Sequence, residues 1–334
     1  MTSIGLADSP EAVDFCRAAN DKIRHELARV IVGQDEVIDQ ILIAIFTRSH
    51  ALLVGVPGLA KTLLISTLAK TLQMSFKRIQ FTPDFMPSDI TGTEVIYQDP
   101  ASGMKEFKFL PGPIFSNVVL ADEINRTPPK TQAAMLEAMQ ERSVTVGGTT
   151  RPLPSPFFVL ATQNPLEQEG TYPLPEAQLD RFLFLVKVGY PTPEEEIAIM
   201  KRGTGGPAKE ARPVLTAEHV LYIQDVVKSV PAADHIYEYA AKIVQATRVG
   251  EAGAMDHCQR YLSFGAGPRA SIGLIMAAKA HAILRGRLHA ACEDVAAVAK
   301  GVMRHRVAVN FTAQSEGIDP DKIIDRVLRK IPAH

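Results

Sequence analysis

The 334-residue chain contains no tryptophan, 6% aromatic residues and three cysteines, and its formal net charge is −1. Cys16, Cys258 and Cys292 are isolated in the sequence, and none belongs to a Cys-x-x-Cys motif. This spacing argues against a disulfide framework or a zinc knuckle and favours a reducing compartment. The near-zero net charge excludes a bulk attraction to nucleic acid or to an anionic membrane.

Long apolar segments are also absent. The run at residues 41–46 is only six residues long, whereas a membrane-spanning helix needs roughly 18 or more apolar residues. The amino terminus lacks the charged segment and the apolar segment that together form a secretory signal. We therefore expect a cytoplasmic protein without a membrane span.

The pattern of apolar residues predicts an α/β fold with two domains. Hydrophobic content of 46% and charged content of 22% are ordinary for a globular chain. Helices predicted at 60–72 and 128–142 separate apolar strands, which alternate as in a parallel sheet; the strands are predicted at 51–54, 76–81, 118–121, 157–161 and 182–188. Residues 1–190 would form this core, with helices at 11–29 and 36–48. Residues 191–334 would form a smaller helical domain without a convincing strand, with helices at 193–202, 216–229, 233–248, 269–285, 292–305 and 320–330.

Local signals refine this outline. Thr127 and Pro128 are predicted as the N-cap and the first residue of a helix. Two short hairpins would interrupt the alternation. The first runs over 93–97 and returns over 106–109, with its turn at 99–103, and the second turns at Gly147-Gly148 after residues 144–146.

The most informative segment is Gly-Val-Pro-Gly-Leu-Ala-Lys-Thr at residues 55–62, directly after an apolar strand. Gly55 and Gly58 allow the backbone to turn its N–H groups toward phosphate oxygens, and the following helix adds its N-terminal donors. Lys61 would reach the β- and γ-phosphates, and the Thr62 hydroxyl would hold Mg²⁺. The strict pattern has glycine where this chain has Ala60. We interpret position 60 as part of the first helical turn, where alanine is favourable.

Two adjacent carboxylates, Asp122 and Glu123, follow the apolar residues 118–121. At the carboxyl end of a buried parallel strand, Asp122 could hold the shell of Mg²⁺ and Glu123 could polarise an attacking water. Either motif alone has an ordinary structural explanation, a strand–loop–helix for the first and a helix cap for the second. Together they favour a site for a nucleoside triphosphate.

Several longer stretches resemble the MoxR family of AAA+ ATPases. They are 122–126 (Asp-Glu-Ile-Asn-Arg), 130–142 (Lys-Thr-Gln-Ala-Ala-Met-Leu-Glu-Ala-Met-Gln-Glu-Arg), 161–165 (Ala-Thr-Gln-Asn-Pro) and 170–182 (Gly-Thr-Tyr-Pro-Leu-Pro-Glu-Ala-Gln-Leu-Asp-Arg-Phe). The resemblance implies a P-loop AAA+ core followed by a helical lid, and ATP and Mg²⁺ as cofactors. It also makes Ala60 a family feature. The nucleotide-binding residues it implies are Gly33, Gln34, Gly55, Val56, Pro57, Gly58, Leu59, Ala60, Lys61, Thr62 and Leu63.

Three further roles follow from the resemblance, and each has a structural alternative. Asn164 matches the sensor-1 position, where an amide can hold the attacking water, but it could also serve an Asn-Pro turn. Arg181 matches the arginine finger donated to a neighbouring subunit. It could instead form an ion pair with Asp180 or Glu176, and Arg126 competes for the finger role. Arg269 matches sensor 2, acting in its own subunit or in the next one, or it merely begins a lid helix.

The resemblance also implies a ring, expected to be a hexamer, that remodels a protein client. An adaptor with a von Willebrand factor A domain would then be supplied by a separate chain. The two hairpins would face the pore, where Phe107 and Phe109 could contact the client or could pack on their own sheet. A nucleic-acid motor of the helicase type is one alternative, disfavoured by the near-neutral charge. A nucleotide-gated assembly switch is another, although a pure binder has no need of Glu123.

Overall fold

The structure, a computed structural model, describes residues 9–98, 104–166, 170–205 and 209–333. The strands within these ranges are β1 (Ala51–Val54), β2 (Phe76–Gln80), β3 (Gly92–Gln98), β4 (Lys105–Pro111), β5 (Val118–Asp122), β6 (Ser143–Val146), β7 (Thr149–Pro152), β8 (Phe158–Gln163), β9 (Phe184–Lys187), β10 (Leu262–Phe264) and β11 (Ala308–Val309). The helices are α1 (Pro10–Ala28), α2 (Asp35–Phe46), α3 (Lys61–Thr71), α4 (Pro87–Thr91), α5 (Pro129–Glu141), α6 (Glu176–Leu179), α7 (Pro193–Thr204), α8 (Ala217–Ser229), α9 (Asp234–Gln245), α10 (Asp256–Tyr261), α11 (Pro268–Ile283), α12 (Cys292–Met303), α13 (Phe311–Ser315) and α14 (Pro320–Lys330).

The five predicted strands form one parallel sheet in the order β2-β5-β8-β1-β9. Ala51 of β1 lies opposite Leu160 of β8 on one side and Phe184 of β9 on the other. This arrangement confirms the predicted α/β fold, with end points shifted by one to two residues. Because the strands are parallel, the residues that follow β1, β5 and β8 lie along the same edge of the sheet.

The sheet is covered on both faces, as its apolar strands predict. Leu53 and Leu120 pack into a core cluster that also contains residues of α1, α2 and α3. Their neighbours Leu52 and Val119 point the other way and join a second cluster with Met135 of α5. This alternation follows from the two-residue period of a strand. It holds the carboxyl edge of the sheet between two packed layers.

Both predicted hairpins occur. β3 pairs antiparallel with β4, and β6 with β7. Gly147 and Gly148 have φ values of 59° and 75°, as the two-residue turn of a hairpin requires. The predicted turn of the first hairpin at residues 99–103 lies outside the described residues.

The predicted start of α5 is wrong by one residue. Pro128 has an extended backbone (ψ 154°) and is the N-cap, and Pro129 is the first helical residue. Pro128 precedes a second proline, which disfavours the helical conformation of the residue before it. Helix α5 therefore starts at the second proline of the pair, one residue later than predicted.

Beyond residue 190 the described chain is mostly helical, but the prediction that it lacks strands is wrong. Leu262 of β10 pairs antiparallel with Val309 of β11. These strands have three and two residues, too few for a period-two pattern to be recognised.

The boundary predicted near residue 190 falls between β9 and α7, and the division into two domains stays a prediction. The apolar core is continuous across this point, because Leu183 and Phe184 share a cluster with Leu274 and Val302.

Two buried polar side chains connect these layers. His50 Nε2 lies 3.1 Å from the Met139 carbonyl, and the Val159 N–H donates to His50 Nδ1 at 2.9 Å. These partners require a neutral ring with its proton on Nε2. Burial lowers the pKa of His50 to about 4. Three residues after α12, the buried Arg306 donates to the Asp180 carboxylate at 2.7 Å and to the Phe182 carbonyl at 2.7 Å.

No helix in the described part of the chain is both long enough and apolar enough to cross a membrane.

Candidate nucleotide site

The glycine-rich loop connects β1 to α3, as the sequence predicts. A Cβ atom on Gly55 would lie 2.6 Å from the Val188 carbonyl oxygen, so only glycine fits there. Gly58 has a φ of 85°, and a Cβ built on it would meet nothing within 4 Å. The loop therefore passes close to the sheet at Gly55 and faces open space at Gly58. An open loop followed by a helix N-terminus suits a phosphate group.

Ala60 does not lie inside the helix, so that interpretation of the sequence is wrong. It is the N-cap of α3, with left-handed φ and ψ values of 53° and 22°. An L-residue in this region is strained by about 1–2 kcal/mol, whereas glycine is not. The glycine of the strict pattern thus has a conformational reason, and alanine carries a cost at this position.

Lys61, the first residue of α3, lies over the loop. Its ammonium group donates to the Gly55 carbonyl and, at 3.3 Å, to the Val56 carbonyl. Burial lowers the pKa of Lys61, while the charges of Asp122 and Glu123 act in the opposite direction. The sheet places Lys61 and both predicted carboxylates at one edge, because Thr162 of β8 lies beside Leu53 of β1 and bonds to Asp122 and Glu123.

Asp122 is the last residue of β5, and both of its carboxylate oxygens accept hydrogen bonds. The Thr162 hydroxyl donates to Oδ1 at 2.6 Å. Arg78 donates to Oδ2 from Nε at 2.9 Å and from Nη2 at 2.6 Å. Asp122 is buried, and its carboxylate is held from two neighbouring strands.

Glu123 follows Asp122 in a left-handed conformation, with a φ of 57°. Its N–H donates to the Thr162 hydroxyl at 2.9 Å, and its carboxylate accepts from Arg126 at 3.0 Å. Thr162 thus contacts both acidic residues, accepting from the backbone of one and donating to the side chain of the other. Arg126, the competing candidate for a finger, is paired with the acid of its own chain.

Asn164 comes just after β8 at the same edge of the sheet. Its Oδ1 accepts from the Leu166 N–H at 3.1 Å, which is the turn interaction that the sequence offered as an alternative. The side chain is buried, 6% exposed. Asn164 lies two residues after Thr162, whose strand β8 contacts both acids. The role of its amide toward water stays a prediction.

A cavity of about 860 Å³ extends from the loop to the start of α7. Among the predicted nucleotide residues, its lining includes Gln34, Gly58, Leu59, Ala60 and Leu63. The Gln34 amide donates to the Leu59 carbonyl at 3.2 Å and so connects the segment before α2 to the phosphate loop. The volume is in the usual range for small-molecule sites, roughly 300–1,000 Å³. This side of the loop can accept a base and a ribose.

Gly33, in the turn before α2, lies in close contact with a side chain of α7. It has a φ of 63°, and a Cβ there would lie 1.8 Å from Oε1 of Glu195. Glu195 also caps α7, since its Oε2 accepts from the Thr192 N–H at 2.8 Å. The helix that opens the C-terminal half therefore touches the segment of Gly33 and Gln34, which the sequence predicts to bind nucleotide.

These residues fit both cofactors implied by the sequence. Mg²⁺ prefers hard oxygen ligands and is commonly bound by one or two carboxylates together with phosphate oxygens. The Asp122 carboxylate at the end of β5 and the Thr62 hydroxyl in the first turn of α3 provide such oxygens. The described residues contain no group of three or more acidic, histidine or cysteine side chains suited to a metal, and a magnesium ion shared with phosphates does not need one.

Arg181 and Arg269 lie together in a different place. Both line a second cavity of about 230 Å³, and no residue of the phosphate loop lines it. Arg181 donates to the Leu136 carbonyl at 2.8 Å, and its Nε is buried without a hydrogen-bond partner among the described residues. Asp180 accepts from Arg306 at 2.7 Å and from Arg269 at 3.5 Å. Within the described residues, Asp180 therefore forms its ion pairs with these two arginines rather than with Arg181.

The first hairpin divides its two phenylalanines. Phe107, opposite Ile96 on the partner strand, is 76% exposed, and Ile96 is 65% exposed. The Phe109 ring packs edge-on against Phe115 at 5.6 Å, and the Arg151 guanidinium lies 4.0 Å from its centre. Phe109 therefore packs on its own chain, and Phe107 is the one presented to solvent.

Sequence reasoning missed Arg78, Thr162 and Arg306. Arg78 carries no local signal, because β2 is an edge strand of the sheet and a half-exposed arginine is ordinary there. Thr162 precedes Asn164 by two residues, so it shares a face of the strand with it. Arg306 carries no signal in the sequence, because its partner Asp180 is far away along the chain.

Comparison with known proteins adds independent information. A model of the ATPase family associated with various cellular activities (AAA) matches residues 50–184, and a model of the AAA lid domain matches residues 255–327. Chaperone MoxR1 of Mycobacterium tuberculosis is 45% identical over 92% of this chain and 80% of its own length. Protein MoxR of Methylorubrum extorquens is 32% identical over 95% of this chain and 96% of its own. The crystal structure of a candidate ATPase from Cytophaga hutchinsonii is similar with a TM-score of 0.90 and 42% identity, covering 98% of this chain and 99% of that one.

Proposed function

The chain belongs to the MoxR family of AAA+ ATPases, and from this premise we propose that it is a Mg²⁺-dependent ATPase whose sites are shared between the subunits of a ring. The ring is proposed to be a hexamer that remodels a protein client. The observation that carries the ATPase proposal is that the open loop before Lys61 and the acids Asp122 and Glu123 lie at one edge of the sheet, where Thr162 of β8 neighbours β1 and bonds both acids.

The residues of the loop and the two acids have different roles in the proposed reaction. Lys61 turns from the loop carbonyls to the β- and γ-phosphates when these are bound, because a lysine ammonium pairs better with phosphate than with a neutral carbonyl. Thr62 and Asp122 hold Mg²⁺, which neutralises charge on the phosphates. Glu123 accepts hydrogen bonds from the attacking water and orients it, and Asn164 fixes that water from the neighbouring strand.

Arg181 and Arg269 serve the site of the adjacent subunit. Support for this comes from their common cavity, which shares no lining residue with the cavity beside the loop of their own chain. Arg181 is held by the Leu136 carbonyl, and its neighbour Asp180 is held by the buried Arg306. A guanidinium positioned in this way suits the charge that develops on a transferred phosphoryl group. In this proposal sensor 2 acts between subunits, alongside the finger.

Remodelling of a protein client rests on two observations. One curated relative is named a chaperone, and the first hairpin presents the adjacent apolar side chains of Ile96 and Phe107 to solvent. Hydrolysis would move the hairpins through the strands that carry Asp122 and Asn164. A separate chain with a von Willebrand factor A domain remains our proposed adaptor.

Mixing inactive subunits tests the shared site directly. Glu123→Gln should remove water orientation, and Arg181→Ala should lower turnover by about 10³-fold or more. If the two residues act on one nucleotide from different chains, an equal mixture of the two variants regains activity, because about a quarter of its interfaces join an intact Glu123 to an intact Arg181. A mixture of Glu123→Gln with Lys61→Ala is the matched control, and it should stay inactive since both changes lie on the same side.

The measurements are ATPase rate against protein concentration and mass by light scattering with and without ATP. Turnover per subunit that is constant down to high dilution, or no recovery in the Glu123–Arg181 mixture, would contradict the shared site. Retained activity in Glu123→Gln would remove the proposed water-orienting residue. Single-stranded DNA binding with a steep salt dependence would favour the motor alternative instead, and undetectable hydrolysis with tight ATP binding would favour the switch.

A further inference from the structure

Arg78 contacts the predicted metal ligand in a way that the proposed reaction does not require. It lies on β2, opposite Leu120, two residues before the position that pairs with Asp122. Its side chain runs along the strand toward the carboxyl edge of the sheet and donates two hydrogen bonds to one oxygen, Oδ2 of Asp122, at 2.9 and 2.6 Å. The guanidinium therefore lies at one of the two carboxylate oxygens that Asp122 would offer to a metal.

The second oxygen of Asp122 has a different partner. Oδ1 accepts the Thr162 hydroxyl at 2.6 Å, and Thr162 is buried and fixed by the Glu123 N–H. Arg78 differs from Thr162 in its freedom, because its side chain is 44% exposed whereas that of Asp122 is 12% exposed. Of the two partners of the carboxylate, Arg78 is the one that can move aside into solvent.

We propose that Arg78 is a positioning residue that weakens magnesium binding at the nucleotide site, by holding Oδ2 of Asp122 and by adding a positive charge beside the metal. This inference rests on the proposed function. Mg²⁺ and the guanidinium compete for the same lone pairs, and their like charges repel at short range. A magnesium ion at Oδ2 would therefore require Arg78 to release this oxygen, and an ion at Oδ1 would lie close to the guanidinium charge. In either case Arg78 raises the magnesium concentration needed for nucleotide binding.

The competing explanation is that Arg78 only orients Asp122. The two explanations differ in sign. If Arg78 competes with Mg²⁺, its removal lowers the magnesium concentration needed for half-maximal binding. If Arg78 merely orients the carboxylate, its removal raises that concentration, because an unsupported ligand binds a metal 10–100-fold more weakly in typical cases.

The test uses the full chain and a fluorescent ADP analogue, with magnesium titrated at a fixed concentration of the analogue. The variants are Arg78→Ala and Arg78→Gln; glutamine retains a donor without the charge, and it serves if the alanine variant fails to fold. Lys77→Ala is the matched control, since Lys77 carries the same charge on the same strand and points to the opposite face.

We expect the half-saturating magnesium concentration to fall at least about fivefold in both Arg78 variants, in line with removal of a nearby like charge, and to stay within about twofold in Lys77→Ala. Binding of the analogue in EDTA should be the same in all chains. An unchanged or increased magnesium requirement in Arg78→Ala and Arg78→Gln would overturn the inference. Failure of the wild-type chain to bind the analogue, or to respond to magnesium, would instead overturn the proposed function.

Discussion

Replacement of Thr162 by valine probes how the two acids are held. Valine matches threonine in shape and in its branched Cβ, so packing and strand propensity change little. The hydroxyl that is lost accepts from the Glu123 N–H at 2.9 Å and donates to Asp122 Oδ1 at 2.6 Å. Thr162 is 1% exposed, so water cannot readily replace either bond.

The magnitude follows from the two groups that lose a partner. A buried donor or acceptor left without a hydrogen bond costs about 1–3 kcal/mol, with the higher values for charged groups. Asp122 keeps its bonds from Arg78, which limits the cost on that side, and the added methyl group returns about 1 kcal/mol. We expect Thr162→Val to lower the free energy of unfolding by about 2–4 kcal/mol. Turnover should fall by about 10–100-fold, as is typical when a residue that orients a metal-site ligand is removed.

Urea unfolding followed by circular dichroism, together with ATPase rates at saturating ATP, measures both effects. Thr162→Ser is the control, because it keeps the hydroxyl and loses one methyl group, for a cost of about 1 kcal/mol. The reasoning fails if Thr162→Val is as stable as the wild type, or if the serine variant is the less stable of the two. Either result would mean that the methyl group matters at this position and the hydroxyl does not.

Three further substitutions test other parts of the structure. Ala60→Gly should leave stability unchanged or raise it by up to about 1 kcal/mol, because it relieves the strain of a left-handed alanine. As a control, Ala198→Gly inside α7 should lower stability by about 1 kcal/mol. Thermal melting of both variants shows whether the backbone at position 60 is strained. The pKa of His50 in the folded protein, about 4, is below its value near 6.5 in the unfolded chain, so the free energy of unfolding should fall by about 3 kcal/mol as the pH drops from 6.5 to 4. Urea midpoints measured across this range should depend less on pH in His50→Asn than in the wild type. The same pH dependence in both proteins would contradict a neutral buried ring. Asp180→Ala should lower the free energy of unfolding by about 2–4 kcal/mol, because it leaves the buried Arg306 without its carboxylate partner. Asp180→Asn keeps a hydrogen-bond acceptor and should lower it by about half as much. Equal losses of stability in urea titrations of the two variants would exclude the charge of Asp180 as the cause.

The prediction from sequence succeeded where a short segment carries the whole signal. The loop at Gly55 and Gly58 is defined by residues adjacent in the chain, and Asp122 was predictable as the end of a buried strand because apolar runs and polar ends are local features. Ala60 was misread because a motif specifies residue type and leaves backbone conformation open. The short strands β10 and β11 were missed because pairing partners about 46 positions apart make them strands, and two or three residues show no periodicity.

The sequence by itself determined the class of fold, the glycine-rich loop after β1 and the place of the two acids at the end of β5. These features depend on neighbours along the chain and on the two-residue and 3.6-residue periods of strands and helices. Only the tertiary structure decided what surrounds them. Thr162 bridges the acids, Arg78 occupies Oδ2 of Asp122, and Arg181 shares a cavity with Arg269 away from its own loop. Each of these contacts joins residues that are distant in the sequence and are brought together by strand order or helix packing. A pattern of neighbouring residues in the sequence cannot predict such contacts.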